Sequence, residues 1–313
     1  MDQYKNKLMS KNGIAIISLA REMFTLDVGD RIKTVEQYSE TLCLGRGTIH
    51  TALKFLQKEK AITLESKGHL GTYINFIDYK KLWTIGDIGT IMGVMPLPYS
   101  KRYEGLATGL YKTFETVDLP FSLAFMRGAS KRIEALNSGR YNFAVVSKLA
   151  ARLEMQKSDN IEIAYEFSEN SYVGKHVIIF ADKEQTQITP KMRIGIDPDS
   201  VDQIILTNYE CEGIDVEFVD ISYSQIFNNI KSNVIDAAIW NGDELKEYAE
   251  HYGIVPLRNK KSINLSKEDT IAVIVINKDN SMVHEILSKF IDIKQISSIQ
   301  EKIMNDKMIP MYL

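Results

Sequence analysis

A near-repeat constrains the fold of this chain more than any single motif. Residues 130–146 read SKRIEALNSGRYNFAVV, and residues 224–240 read SQIFNNIKSNVIDAAIW. The opening serines align, as do Leu136 with Ile230, Ser138 with Ser232, Asn142 with Asp236, Ala144 with Ala238 and Val145 with Ile239. Each copy reads as a Ser-capped helix, a turn at Gly139 or Asn233, and a strand with no polar alternation, so buried on both faces. A fainter echo pairs GVMP at 93–96 with GIDP at 195–198. Around the first copy, strands at 91–95, 121–126 and 143–146 alternate with helical patterns near 102–114, 130–138 and 148–156. Strand and helix in alternation is an α/β rhythm, and a doubled rhythm predicts two similar α/β lobes.

At 313 residues the chain exceeds one core. The organisation predicted is a head over 1–78 and a body over 79–313, with a join around 77–89. In the body, Arg132-Ile133-Glu134-Ala135-Leu136, then Gly139, then Ala144-Val145-Val146, resembles a pattern of periplasmic-binding-type domains. That resemblance implies a two-lobe α/β domain of the type II class, with the lobes facing across a cleft and joined by crossing strands. The apolar, β-rich stretches 172–180 and 270–276 are placed for the crossings. Lobe 1 then takes about 85–172 and 275–313, and lobe 2 about 175–268, with the last segment adding helices to lobe 1.

In open α/β sheets ligands bind beyond the carboxyl ends of the strands, where helix N-termini offer N–H groups. The loops at those ends nominate Tyr99, Ser100, Arg127, Ser130, Ser147, Lys148, Asp199, Ser200, Ser224 and Trp240 as ligand-binding residues. Arg127, with Ser130 and Lys148 nearby, suits a carboxylate or phosphate. Tyr99 and Trp240 suit an apolar part. Each residue alone reads as readily as a cap or a surface group; their recurrence at equivalent places in two copies is what favours a site.

The head reads differently. Ile14, Ile17, Ala20 and Phe24 recur at helical spacing, so 12–25 is a first helix. Thr34-Val35-Glu36-Gln37 is a capping box that starts a second. Cys43-Leu44-Gly45 turns the chain, and a third helix runs from Arg46 to near Lys60 on Ile49, Ala52, Leu53 and Leu56. Two β stretches, 62–65 and 72–76, flank a turn and form a hairpin wing. The third helix offers Arg46, Gly47, Thr48, His50 and Lys54 to solvent; Thr34 opens the second, and the wing offers Lys67 and His69. Polar donors on the first turn of a helix behind a tight turn suit the major groove. Charge agrees: residues 1–80 hold twelve Lys/Arg against nine Asp/Glu, a local +3 in a chain of net −3.

The stretch 29–74 resembles a GntR-type winged helix at Arg46, Thr48, Ala52, Leu53, Gly71 and Thr72. It departs at Gly45, where Ser or Thr is usual, at Gly47 and His50, and at Glu36, where an Arg is frequent. Head and body together are similar to YhfZ-type regulators. The resemblance implies binding of a double-stranded DNA operator, through Thr34, Arg46, Gly47, Thr48, His50, Lys54, Lys67 and His69.

Other chemistry finds little support. The polar start and the lack of a long apolar run predict a cytoplasmic chain with no membrane partner. Cys43 and Cys211 stand far apart, as in a reducing compartment. The five histidines, His50, His69, His176, His251 and His284, have no metal-ligand spacing. No phosphate loop, nucleophile elbow or triad stands out. The prediction is a homodimeric, ligand-responsive DNA-binding regulator, not an enzyme, with no metal or cofactor and a small, anionic effector. The alternatives are a solute-binding protein or an enzyme on the same scaffold.

Overall fold

A computed structural model describes residues 8–243, 245 and 249–312. The polar first seven residues and the last residue of the predicted body therefore lie outside the described residues. The chain divides into two compact units, 1–90 with 115–120, and 91–114 with 121–313.

The first unit opens with α1 (Lys11–Thr25), capped by Ser10, whose Oγ accepts from the Gly13 N–H at 3.1 Å. Next come α2 (Val35–Leu42), α3 (Arg46–Lys58), and the antiparallel hairpin of β1 (Ile62–Ser66) and β2 (Thr72–Ile77). The capping box forms as the sequence predicts: Gln37 N–H donates to Thr34 Oγ1 at 3.2 Å, and Thr34 N–H donates to Gln37 Oε1 at 2.8 Å. Cys43 takes the left-handed turn between α2 and α3 at φ 53°. Leu19, Phe24, Tyr38, Ile49, Leu56 and Ile74 meet in the core.

The predicted join holds a helix, α4 (Tyr79–Ile85). Phe24 packs edge-on against Tyr79 at 5.5 Å and Trp83 at 5.4 Å between ring centroids. Leu82 and Trp83 are buried. Two large apolar side chains in a short amphipathic segment need a cover, and α1 supplies it. The helical unit thus continues to Thr90, beyond the boundary at 78 read from sequence.

The second unit is built on two five-stranded sheets. One contains β3 (Ile91–Met95), β4 (Phe121–Phe125), β5 (Phe143–Ser147), β6 (Ile161–Glu166) and β12 (Ala272–Asn277), in the order β4-β3-β5-β12-β6. The other contains β7 (His176–Phe180), β8 (Arg193–Ile196), β9 (Glu217–Asp220), β10 (Ala237–Asn241) and β11 (Gly253–Pro256), in the order β9-β8-β10-β7-β11. The two orders are the same pattern. In each, three parallel strands are followed by an antiparallel pair. The repeat seen in the sequence is a repeat of topology, with β3 equivalent to β8 and β5 to β10.

The helices of lobe 1 are α5 (Lys101–Thr116), α6 (Ala129–Asn137) and α7 (Lys148–Lys157). Those of lobe 2 are α8 (Val201–Glu210), α9 (Ile226–Lys231) and α10 (Lys260–Asp269). The chain crosses between lobes at 167–175 and 269–272. The two crossings touch, with Tyr172 N–H donating to Thr270 O and Ala272 N–H to Ser171 Oγ, both at 2.8 Å. Finally α11 (Ser281–Phe290) and α12 (Ile293–Met304) return to lobe 1. Glycine permits the close approach of α12 to α5: a Cβ at Gly105 would lie 2.8 Å from Gln300 Cα.

One local expectation fails in both copies. Ser130 does not cap its helix, which starts at Ala129 behind Gly128. Ser224 sits in a short 3₁₀ turn, Tyr223–Gln225, ahead of α9. At the first site the reason is proximity to lobe 2. Gly128 has φ 81°, and a Cβ there would stand 3.0 Å from Asp199 O, so backbone rather than a serine cap shapes the helix start.

Candidate functional site

The first unit presents α3 with its apolar side inward and Arg46, Gly47, His50 and Lys54 exposed. Thr48 is half-buried, and the exposed Thr34 is occupied in its capping box. Gly45 offers no side chain to the first-turn N–H groups of α3, leaving them for an acceptor such as a phosphate. Arg46 is ion-paired to Glu36 on α2, and both side chains are largely in solvent. In the wing, Lys67 Nζ lies 4.8 Å from the Tyr73 ring centroid and 3.7 Å from Glu65, and His69 is exposed in the turn.

The second unit encloses a cavity of about 90 Å³ between its lobes. Lobe 1 contributes Arg127 and Arg132, and lobe 2 contributes Asp197 and Asp202. His176 and Asp269, beside the crossings, close one wall, and four tyrosines, Tyr99, Tyr103, Tyr172 and Tyr223, line the rest. Arg132 is 3% exposed. Its Nε donates to Val145 O at 3.1 Å, Nη1 to Met126 O at 2.7 Å and Nη2 to the Tyr172 hydroxyl at 2.9 Å. All three acceptors are neutral, and among the described residues no carboxylate makes an ion pair with this guanidinium. Arg127 differs: it is partly open and reaches Asp197 Oδ2 at 3.4 Å.

The acids form a coupled group. Ser147 Oγ donates to Asp202 Oδ2 across the lobes at 2.7 Å. His176 Nδ1 lies 3.0 Å from Asp269 Oδ2. Burial pushes the Asp202 carboxyl well above the usual carboxylate range, and the neighbouring Asp269 charge adds to it. Burial would raise Asp269 too, but His176, with bonds from Asp202 and Ser147, holds it below the usual range. The proton of the pair therefore sits on Asp202. Desolvation raises the phenols of Tyr103, Tyr172 and Tyr223. The Tyr99 ring is 45% exposed, but its hydroxyl end is desolvated within the cleft and is pushed up to about 12. All four are neutral hydrogen-bonding groups near neutral pH.

Residues 78–312 match the family model described as the YhfZ C-terminal domain. The chain belongs to the YhfZ family. It is 33% identical to YhfZ of Escherichia coli (strain K12) over 310 residues, 98% of this chain and 100% of that one. It is also similar to the crystal structure of YhfZ from Shigella flexneri, at 34% identity and a TM-score of 0.62, covering 74% of this chain and 97% of that one. A helix-turn-helix domain model matches residues 27–74, which points to DNA binding by α2 and α3. The body of this YhfZ-family chain is a two-lobe α/β domain with one strand order repeated in both lobes. The chain is also similar to a periplasmic substrate-binding protein from Coxiella burnetii, at 13% identity and a TM-score of 0.46, covering 71% of this chain and 100% of that one.

The structure brings four of the ten ligand residues named from sequence to the cavity: Tyr99, Arg127, Ser200 and Ser224. The others are engaged elsewhere. Ser100 accepts from Tyr103 N–H at 3.3 Å, and Ser130 donates to Glu154 at 2.7 Å. Lys148 pairs with Glu166 at 2.7 Å, and Asp199 pairs with Lys131. Ser147 caps α7 and reaches Asp202 from behind the cavity wall. Trp240 packs on Phe227 at 4.5 Å between centroids and lines a separate, wider groove.

Arg132, His176, Asp202 and Asp269 were missed in this YhfZ-family body. A signal for Arg132 was present. Aligning the two copies sets it against Ile226, a fully buried position, so a charge occupies a core register. His176 and Asp269 are 93 positions apart in sequence, and no spacing rule joins them.

Proposed function

We propose that this YhfZ-family chain is a ligand-responsive transcription regulator: a GntR-type winged helix-turn-helix reads a DNA operator, and the cleft of the two-lobe body binds a small effector with an anionic group. It works in the cytoplasm as a homodimer on a two-fold-related operator, without a membrane partner, and it catalyses no reaction. The observation that carries the effector reading is Arg132, a buried guanidinium without an ion pair on the wall of an inter-lobe cavity. A buried unpaired charge is unfavourable, and a ligand anion removes that cost. The anion site read from sequence at Arg127 moves to Arg132, since Asp197 already neutralises Arg127. The effector shifts DNA affinity only through its different affinities for two states of the body.

The experiment is selection of bound genomic fragments by the full chain, followed by gel-shift titration with and without pools of small anionic metabolites. A selected operator whose affinity changes with one pool is expected. Failure to select any sequence over random DNA would refute the regulator reading. Turnover of a pool member would replace it with an enzyme.

A further inference from the structure

The cavity that receives the effector has two chemically opposite ends, and the second end has no role in the anion site. We propose that the ligand of this cleft is a small zwitterion, an amino-acid-like molecule whose acidic group pairs with Arg132 and whose ammonium group docks on Asp202 and Asp269. The inference rests on the cleft being the effector site. At the first end, Arg132 donates three hydrogen bonds to neutral oxygens and has further N–H donors to spend. A carboxylate supplies both the missing charge and a fork that fits a guanidinium.

At the second end, Asp202 and Asp269 line the same cavity. Asp202 Oδ1 is buried and lacks a hydrogen-bond partner, and Asp269 Oδ2 meets the His176 imidazole at 3.0 Å. Nearly all buried polar atoms in proteins are satisfied, so an orphaned carboxyl oxygen on a cavity wall calls for a donor. A lone proton between the acids gives one donor. An ammonium brings three donors and a positive charge. When it arrives, the proton held on Asp202 passes to solvent and the carboxylate formed faces the ammonium. The surrounding tyrosines exclude water. A plain carboxylate would satisfy Arg132 and leave Asp202 Oδ1 unmet.

The test uses calorimetric titration of the full chain with matched probes. Glycine, alanine, β-alanine and γ-aminobutyrate are compared with acetate, propionate and butyrate, and with methylamine, ethylamine and propylamine. At least one zwitterion is expected to bind about tenfold or more tightly than its counterparts lacking either charge. Asp202→Asn keeps the shape of the neutral acid, so it should remain folded with an unreduced melting temperature and lose about tenfold or more of that affinity. A carboxylate binding as tightly as its amino counterpart would overturn the proposal. So would undiminished affinity in Asp202→Asn, or no zwitterion binding up to about 10 mM. A zwitterion that binds as described but leaves operator affinity unchanged would instead refute the effector role and leave the ligand assignment standing.

Discussion

Two arginines show how environment assigns a role to one residue type. Arg46 opens α3 in solvent, with Glu36 across from it. An exposed ion pair contributes about 0–1 kcal/mol, so Arg46 is free to exchange its partner for DNA. Arg46→Ala should weaken operator binding by about 1–3 kcal/mol where the guanidinium meets a base, read by gel-shift titration. Glu36→Gln should act in the opposite direction and tighten binding modestly, by removing a competing carboxylate. Arg132, by contrast, is held in place by Val145, Met126 and Tyr172, so its geometry is set before any ligand arrives. Asp202 adds a pH prediction. Its folded pKa is raised, so the folded state holds a proton that the unfolded chain loses above the ordinary carboxylate range. The stability this provides is complete below the unfolded pKa and declines as pH rises towards the folded one. Asp202→Asn abolishes that decline. Its melting temperature should exceed that of the wild type at pH 7, with the gap closing towards pH 4; a constant gap would mean that Asp202 is ionised in the fold.

At the scale of elements, helix ends and turns were legible because their chemistry is local. Thr34 and Gln37 form their capping box three residues apart, and Cys43 makes its turn next to α2. The hairpin and α3 followed from periodicity alone. What the α3 face does remains an electrostatic matter, and operator affinity should fall with a slope of roughly −0.9 in log K against log salt for each phosphate contact. A flat salt response would exclude α3 and the wing as a DNA surface. The element misread was α4. Its seven residues give a periodicity too short to register, and its stability comes from Phe24, 55 positions before Tyr79. Trp83→Ala should destabilise the helical unit by about 3–5 kcal/mol, measured by calorimetry on the full chain, whereas a linker tryptophan would show almost no effect. The serine expected to cap α6 was misread for a related reason. A cap is local only when no second lobe presses on the helix start, and Asp199 stands against Gly128.

At the scale of the whole molecule, bonds across the cleft decide how the lobes meet. Arg127 reaches Asp197, Lys131 reaches Asp199 and Ser147 reaches Asp202. Asp197 is the most heavily used, since it also accepts from the N–H groups of Asp199 and Tyr223. Asp197→Ala should loosen the cleft, giving faster hydrogen exchange at 197–203 and 223–225 with the α1–α3 amides unchanged. Equal protection in the variant would show that the lobes hold together without this carboxylate. By itself the sequence determined the three-helix head with its hairpin and the doubled α/β topology. Each of these is written in periodicity, capping residues and a repeat, patterns that survive in one dimension. The cavity was decided by tertiary structure. Arg132, His176, Asp202 and Asp269 come from four separate elements, and their charge states follow from burial and mutual contact rather than from neighbours in the chain. Periodicity reveals which face of an element is buried, whereas desolvation and pairing depend on what the other lobe brings to that face.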